Sequence, residues 1–167
     1  MEKRTFKEVE GLMLSLGISY EIVEHPASQS TEESDHYIDG YEGCRSKTLV
    51  LVNKKSTQFY MVMMDDAKMV KMDELARALG DVKRLHFASE ERLMDKLGLT
   101  PGIVSLYGLM GTHYDNFHIF FDREMLEKHK IMTVHPNDNT KTIFFPMDAC
   151  FKILKSQGYG YEIIDFG

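Results

Sequence analysis

The chain has 167 residues, of which 43% are hydrophobic and 28% are charged, and it contains only four prolines. This length and composition exclude a disordered or collagen-like chain and leave enough apolar residues for a buried core. The formal net charge of −6 excludes a uniformly basic surface, so a nucleic-acid partner must meet local basic patches such as residues 54–55, 68–71 and 83–84.

Helices and strands are predicted to alternate irregularly along the chain. Possible capping boxes at Thr5 with Glu8 and at Ser30 with Glu33 begin two helices, and Gly98 is placed to end another. Apolar runs with a period near two, or continuous ones, define the strands. In chain order the patterns predict helix 5–16, strand 18–24, helix 31–37, strands 47–52 and 58–64, helix 72–79, strand 82–86, helix 89–97, strand 117–121, helical turn 124–128, strands 131–135 and 140–145, helix 148–156 and strand 161–164.

Two pairs of these strands are predicted to form hairpins. Residues 53–57 join the first pair, and the polar stretch VHPNDNTKT, residues 134–142, forms the tip of the second. Residues 98–102 must form a tight loop, because two glycines and a proline in five residues continue neither a helix nor a strand.

The order of elements predicts the α/β class, with one domain over residues 1–167 and a mixed, curved central sheet flanked by helices. Glycine-rich nucleotide-binding motifs do not occur in the sequence, so no cofactor is predicted. Cys44 and Cys150 fit neither a metal-binding pair nor a disulfide framework, which favours reduced thiols. The charged N-terminus and the lack of any run near 18 apolar residues predict a cytoplasmic protein without a membrane partner.

Three places in the chain offer groups with catalytic chemistry. Lys47 precedes an apolar strand, where its side chain could enter a cleft at the sheet edge, although a solvated lysine is the more common explanation of such a position. The 98–102 loop offers backbone N–H groups that could stabilise an oxyanion, although a helix end followed by a turn explains the same spacing. His135 lies at a strand end beside Asn137, a position also typical of an ordinary surface turn.

Other chemistries have weaker support. His113, Asp115 and His118 match none of the common metal-ligand spacings, so no metal is predicted. Ser105 and Cys44 lack both a nucleophile-elbow context and an identifiable neighbouring base, which makes covalent catalysis the weaker option.

Several segments together resemble the YbaK/ProX family of aminoacyl-tRNA deacylases, relatives of the editing domain inserted in bacterial prolyl-tRNA synthetases. The resemblance covers nearly the whole chain, and HPN with the central segment is most similar to the ProX branch. The segments, in order, are LGISYEIVEHPASQSTEE, GCRSKTLVL, KMDELARALG with RLHFASEERLMDKLGLTPGIVSLYGL, and VHPNDNTKTI.

The resemblance implies an enzyme that removes a mischarged amino acid from tRNA in trans. It points to alanine, or cysteine as in the YbaK branch, carried by proline tRNA, with prolyl-tRNA synthetase or an elongation factor as further partners. A non-catalytic module that senses an amino acid or a charged tRNA is the alternative from another class.

The resemblance also implies which residues act. Lys47, Gly102 and His135 correspond to the catalytic group, and Thr48 stands where relatives often have asparagine after the lysine. The predicted substrate-binding residues are Tyr20, His25, Thr31, Gly98, Thr100, Pro101, Asn137 and Asn139.

Overall fold

The computed structural model describes residues 1–28 and 30–167. Its α-helices are α1 Phe6–Ser15, α2 Thr31–Tyr37, α3 Met72–Ala78, α4 Glu90–Leu97, α5 Arg123–Lys128 and α6 Ala149–Ser156, with 3-10 helices at Pro101–Ile103 and Leu106–Leu109. Its strands are β1 Glu21–Glu24, β2 Ser46–Val52, β3 Phe59–Asp65, β4 His86–Phe87, β5 Phe117–Asp122, β6 Ile131–Val134, β7 Lys141–Pro146 and β8 Glu162–Ile164. None of the described helices is long and apolar enough to cross a membrane.

The strands form two sheets. The larger has the order β4-β2-β3-β5-β8, in which β2 pairs antiparallel with β3 and β4, while β5 pairs parallel with β3 and β8. The smaller is antiparallel with the order β1-β7-β6. The predicted α/β class with a mixed sheet is therefore confirmed, and the strands divide between two sheets.

Both predicted hairpins are present. Val52 pairs with Phe59, and the Asn53 side chain accepts hydrogen bonds from the backbone N–H groups of Thr57 and Gln58, which closes the first turn. In the second hairpin β6 and β7 pair antiparallel, and the turn between them carries His135.

The larger sheet is covered on both faces, which explains the continuous apolar run of β3. Met61 and Met63 belong to the main core with α1, α4 and α6, whereas Val62 packs on the opposite face with Leu75 of α3. The alternation of side chains along a strand thus feeds two separate apolar cores.

Local signals at the element ends are confirmed in part. The capping box of Thr5 with Glu8 begins α1, and Gly98 adopts a left-handed conformation with φ 69° at the end of α4. Helix α6 begins after Asp148, which occupies the N-cap position but makes no capping hydrogen bond with its side chain. Strand β4 is only two residues long and begins at the end of the predicted strand 82–86. Arg84, two residues before β4, has a positive φ of 51° and turns the chain there.

The two sheets meet where the chain enters β2, and we call this junction the seam. Cys44 forms an isolated parallel bridge with Met132 of β6. The Ser46 hydroxyl donates to the Thr133 carbonyl at 2.6 Å, and the Thr133 hydroxyl donates to the Cys44 carbonyl. The start of β2 is therefore fixed against the end of β6, where a cavity opens.

Candidate active site

A cavity of about 220 Å³ lies at the seam. Its walls come from α2, the first residues of β2, the 101–104 segment, the end of β6 and one residue of β7. Lys47, Gly102 and His135 all line it. The structure thus brings together the three residues that the sequence predicted as the catalytic group.

Lys47 lines this cavity from β2, where its backbone pairs with Met64 of β3. Its Nζ donates a hydrogen bond to the Lys68 carbonyl at 2.8 Å. An ammonium group has three donors, so two N–H groups stay available for a substrate while this bond persists.

Gly102 forms another wall, within the 3-10 helix Pro101–Ile103. The first backbone N–H groups of a helix have no partner inside it, and Pro101 has no N–H, so the N–H of Gly102 is the first such donor of this helix. Gly102 is exposed, and a Cβ placed on it would meet no atom within 4 Å. The glycine therefore keeps this wall of the cavity open.

A hydrogen bond to the backbone of Lys141 holds His135 in one tautomer. Its Nδ1 lies 2.8 Å from the Lys141 carbonyl, which only accepts, so Nδ1 carries the proton. Its Nε2 lies 3.1 Å from the Ser34 hydroxyl and is an acceptor in the neutral ring. Burial lowers the pKa of His135, which keeps the imidazole neutral near pH 7.

The Ser34 hydroxyl can also direct its single proton elsewhere. Its Oγ is 2.6 Å from Ser28 Oγ and 3.1 Å from the Ser30 carbonyl. When the proton points to one of these, the lone pair on His135 Nε2 is free to accept a proton from water.

His25 lies behind His135 and outside the cavity wall. The two rings meet edge to face at 5.8 Å, and His25 stacks on Tyr37 at 5.2 Å. Its Nε2 is 2.8 Å from Thr142 Oγ1, and Thr142 itself lines the cavity. His25 therefore supports the wall that holds His135.

Two predicted substrate-binding residues lie away from the cavity. Tyr20 borders a separate surface depression and donates its hydroxyl proton to Glu10, and this hydrogen bond raises the pKa of Tyr20 to about 12. Gly98 packs against the N-terminal segment, where a Cβ would lie 2.7 Å from the Met1 carbonyl oxygen.

The remaining predicted residues belong to the three segments that also supply cavity-lining residues. Pro101 lines it, and Thr100 is exposed just before the 3-10 helix. Asn137 is 1% exposed with φ 60°, and Asn139 donates to the Ser28 carbonyl at 3.3 Å, so both shape the β6–β7 turn. The side chain of Thr31 lies outside the described part of the structure, which places only its backbone at the start of α2.

Helix α2 contributes cavity residues that the sequence did not single out. Ser34 and Asp35 both line the cavity. Burial, followed by the neighbouring carboxyl of Asp66, raises the pKa of Asp35 to about 7. The capping box at Ser30 predicted the helix, but nothing in a polar seven-residue helix indicates which face meets a site.

Three possible metal ligands also lie close together near the seam. Polar atoms of Cys44, Asp65 and His129 are within 4.8 Å of one another. Asp65 and His129 already pair at 3.1 Å, and burial raises the pKa of the Cys44 thiol to about 12. The thiol is thus held in its protonated form, and a paired histidine and carboxylate account for the rest of this group.

Comparisons with known proteins point to one family. The family model for the aminoacyl-tRNA editing domain matches residues 25–153. The prolyl-tRNA editing protein ProX of Acetoanaerobium sticklandii is 31% identical over 150 residues, which cover 90% of each chain. Prolyl-tRNA synthetase associated domain-containing protein 1 of Bos taurus is 28% identical over 160 residues, covering 95% of this chain and 93% of its own.

A solved structure supports the fold. The crystal structure of a candidate trans-editing enzyme for prolyl tRNA synthetase matches with a TM-score of 0.69 at 17% identity, over 97% of each chain. The resemblance found in the sequence is confirmed by the family model and by the ProX protein. This chain therefore belongs to the aminoacyl-tRNA editing domain family, and it is an aminoacyl-tRNA deacylase, a hydrolase of the ester between an amino acid and tRNA.

Proposed function

We propose that this enzyme acts in trans on proline tRNA and removes alanine, with cysteine as the second small amino acid it accepts. The observation that carries this proposal is the convergence of Lys47, Gly102 and His135 on one cavity of about 220 Å³. This volume is below the range of pockets for drug-sized ligands, and it suits a small amino acid joined to the end of a ribose. In this proposal the whole chain, residues 1–167, is one editing domain.

The proposed chemistry is addition of water to the ester carbonyl carbon. The Gly102 N–H stabilises the oxyanion, and Lys47 holds the substrate carbonyl or the terminal phosphate with its free donors. His135 Nε2 orients the water and accepts its proton, and the departing ribose oxygen then takes up a proton as the C–O bond breaks. A neighbouring ribose hydroxyl can share in positioning the water.

Selectivity in this proposal comes from steric exclusion. Ile38, Leu49 and Val134 present branched apolar side chains to the cavity. A pocket that admits alanine and excludes the larger proline ring leaves the correct product intact, which is the second sieve of double-sieve editing.

Basic residues on the exposed turns suit weak contact with tRNA. The Lys54 N–H donates to the Lys83 carbonyl at 3.2 Å, so the exposed Lys54, Lys55, Lys83 and Arg84 lie in one region. Lys68, in contrast, is engaged by Asp122 at 2.9 Å. We propose salt-sensitive tRNA binding in the cytoplasm, with prolyl-tRNA synthetase or an elongation factor delivering the substrate.

The deciding test is deacylation of proline tRNA charged with alanine, cysteine or proline. We expect kcat/KM for the alanine ester to exceed that for the proline ester by about 10²-fold. Extra carbons that a pocket cannot accommodate lower kcat/KM by about this factor. Equal hydrolysis of all three esters would contradict the steric sieve. If every ester stays intact while charged tRNA still binds, the protein is instead a sensing module.

Two glycines of the same segment give a matched pair of variants. Gly98→Ala is expected to lower the free energy of unfolding by about 1–3 kcal/mol, because its φ of 69° disfavours alanine and its Cβ would overlap the Met1 carbonyl. Gly102→Ala is expected to leave stability within about 0.5 kcal/mol but lower kcat/KM about tenfold, since its methyl group projects into open space at the cavity wall. Denaturant unfolding and single-turnover deacylation measure the two effects, and the reverse assignment would show that Gly102 is structural.

A further inference from the structure

Asp35 and Asp66 form a pair of carboxyl groups at one side of the active-site cavity. Asp35 lines the cavity from α2. Asp66 is the first residue after β3, and its carboxyl group neighbours that of Asp35. Asp66 Oδ2 is buried and receives no hydrogen bond within the described residues. A hydrogen bond between the two side chains is one of the contacts that favour a protonated Asp35.

The nearest cation does not neutralise the pair through a direct bond. The guanidinium of Arg45 donates to the carbonyls of Gly43 at 2.8 Å, Ile38 at 2.9 Å and Tyr41 at 2.7 Å, so its donors are directed to the backbone. Of the other cavity groups that can carry charge, Lys47 donates to the Lys68 carbonyl and His135 is neutral. A buried carboxylate oxygen without a donor is costly, and a cation held by Asp35 in the cavity would lower that cost for both carboxylates.

We propose that Asp35, supported by Asp66, binds the α-ammonium group of the amino acid that is to be removed. This inference rests on the proposed function and extends it to the part of the substrate that must carry a positive charge. An aminoacyl ester has its ammonium one carbon from the scissile carbonyl, so the carboxyl pair and Lys47 contact opposite ends of one small group. The enzyme thereby acts on free aminoacyl esters and spares those whose amino group is acylated.

The titration of Asp35 agrees with this role. Burial and Asp66 raise the pKa of Asp35, Asp39 acts in the same direction, and Arg45 opposes them. Because the folded pKa is about 7 and the ordinary value is 3.8, ionisation of Asp35 destabilises the folded protein as pH rises through this window. A bound ammonium reverses that effect by favouring the ionised carboxylate and releasing the proton of Asp35.

The test compares alanyl-tRNA with N-acetyl-alanyl-tRNA as substrates of the full chain. The wild type is expected to prefer the free amino group by about ten- to hundredfold in kcat/KM, the range for one charged hydrogen bond. Asp35→Asn is expected to bring this ratio close to one, and Asp39→Asn, an exposed carboxyl on the same helix end, is expected to keep the wild-type ratio. An unchanged ratio in Asp35→Asn would overturn the inference.

A second measurement separates this inference from the proposed function. Calorimetric titration should detect L-alaninamide, which carries the ammonium, and a binding constant at least tenfold weaker for N-acetyl-L-alaninamide. If Asp35→Asn binds both amides equally, the inference is supported whether or not any ester is hydrolysed. Absence of hydrolysis would contradict the proposed function alone. Equal binding of both amides to the wild type would overturn the inference even if alanine is removed from tRNA. Unfolding at pH 8 serves as the folding control, because Asp35→Asn removes a destabilising charge and should not lower stability.

Discussion

Replacing Lys47 with alanine is expected to lower kcat/KM for hydrolysis of alanyl-tRNA by about 10²- to 10³-fold, the range for loss of one electrostatic donor to a developing oxyanion. Lys47 lines the cavity. Its ammonium donates one hydrogen bond to the Lys68 carbonyl, which leaves two N–H donors free. Single-turnover deacylation, with enzyme in excess over charged tRNA, measures this loss without interference from product release.

Two variants separate the charge of Lys47 from its packing. Lys47→Met keeps most of the side-chain volume and should lose as much activity as Lys47→Ala, since the charge is what both remove. Lys54→Ala, at an exposed position of the β2–β3 turn, should retain the wild-type single-turnover rate at saturating enzyme, because Lys54 lies outside the cavity. If Lys47→Met deacylates at the wild-type rate while remaining folded, Lys47 serves only to anchor the segment after β3 through the Lys68 carbonyl.

Replacing His135 with alanine is expected to lower kcat by about 10²-fold and to remove the acid limb of the pH profile. Burial lowers the pKa of His135, so the ring is neutral at and above the ordinary histidine value near 6.5. Wild-type kcat, which reports the substrate complex with Asp35 ionised, should be constant above that pH and should fall only as pH drops through the lowered pKa of His135. The contribution of His135 to stability should be lost as pH drops from about 6.5 to that lowered pKa, because the unfolded chain binds the proton there and the folded chain does not.

The measurement is kcat across pH 4.5 to 8 for the wild type and for His135→Ala. His113→Ala, which removes an exposed histidine, should keep the wild-type profile. An acid limb that persists unchanged in His135→Ala would mean that another group titrates, and Asp35 with its raised pKa is then the next to examine.

The hairpins and helix ends could be predicted because their causes are local. Asn53 closes a turn with residues four and five positions away, and Thr5 with Glu8 caps α1 within one helical turn. The division of the strands into two sheets could not be predicted, because the alternation of apolar residues does not indicate which strands pair. The parallel pairing of Phe59 with Phe117 joins positions far apart in sequence, and no turn encodes it.

The candidate site could likewise be predicted only in part. Lys47, Gly102 and His135 were indicated by a chain-long resemblance, and the structure brings them to one cavity. Tyr20 was expected at the pocket, but its hydroxyl contacts Glu10 of α1 instead. Asp35 was not indicated, because a carboxylate on a short polar helix is usually solvated. Its burial at the cavity and the tertiary position of Asp66 beside it make it unusual.

The seam has a consequence for how the enzyme loses activity. Lys47 belongs to the larger sheet and His135 follows a strand of the smaller one, so neither sheet holds a complete site by itself. The contacts of Cys44 with Met132 and of Ser46 with Thr133 set the distance between the two halves. A local opening at the seam that moves the start of β2 away from the end of β6 would abolish turnover while the core around Val62 and Leu75, on the other face of the larger sheet, remains intact. Catalysis therefore reports the docking of the two sheets at the seam, and a local opening there costs less free energy than global unfolding.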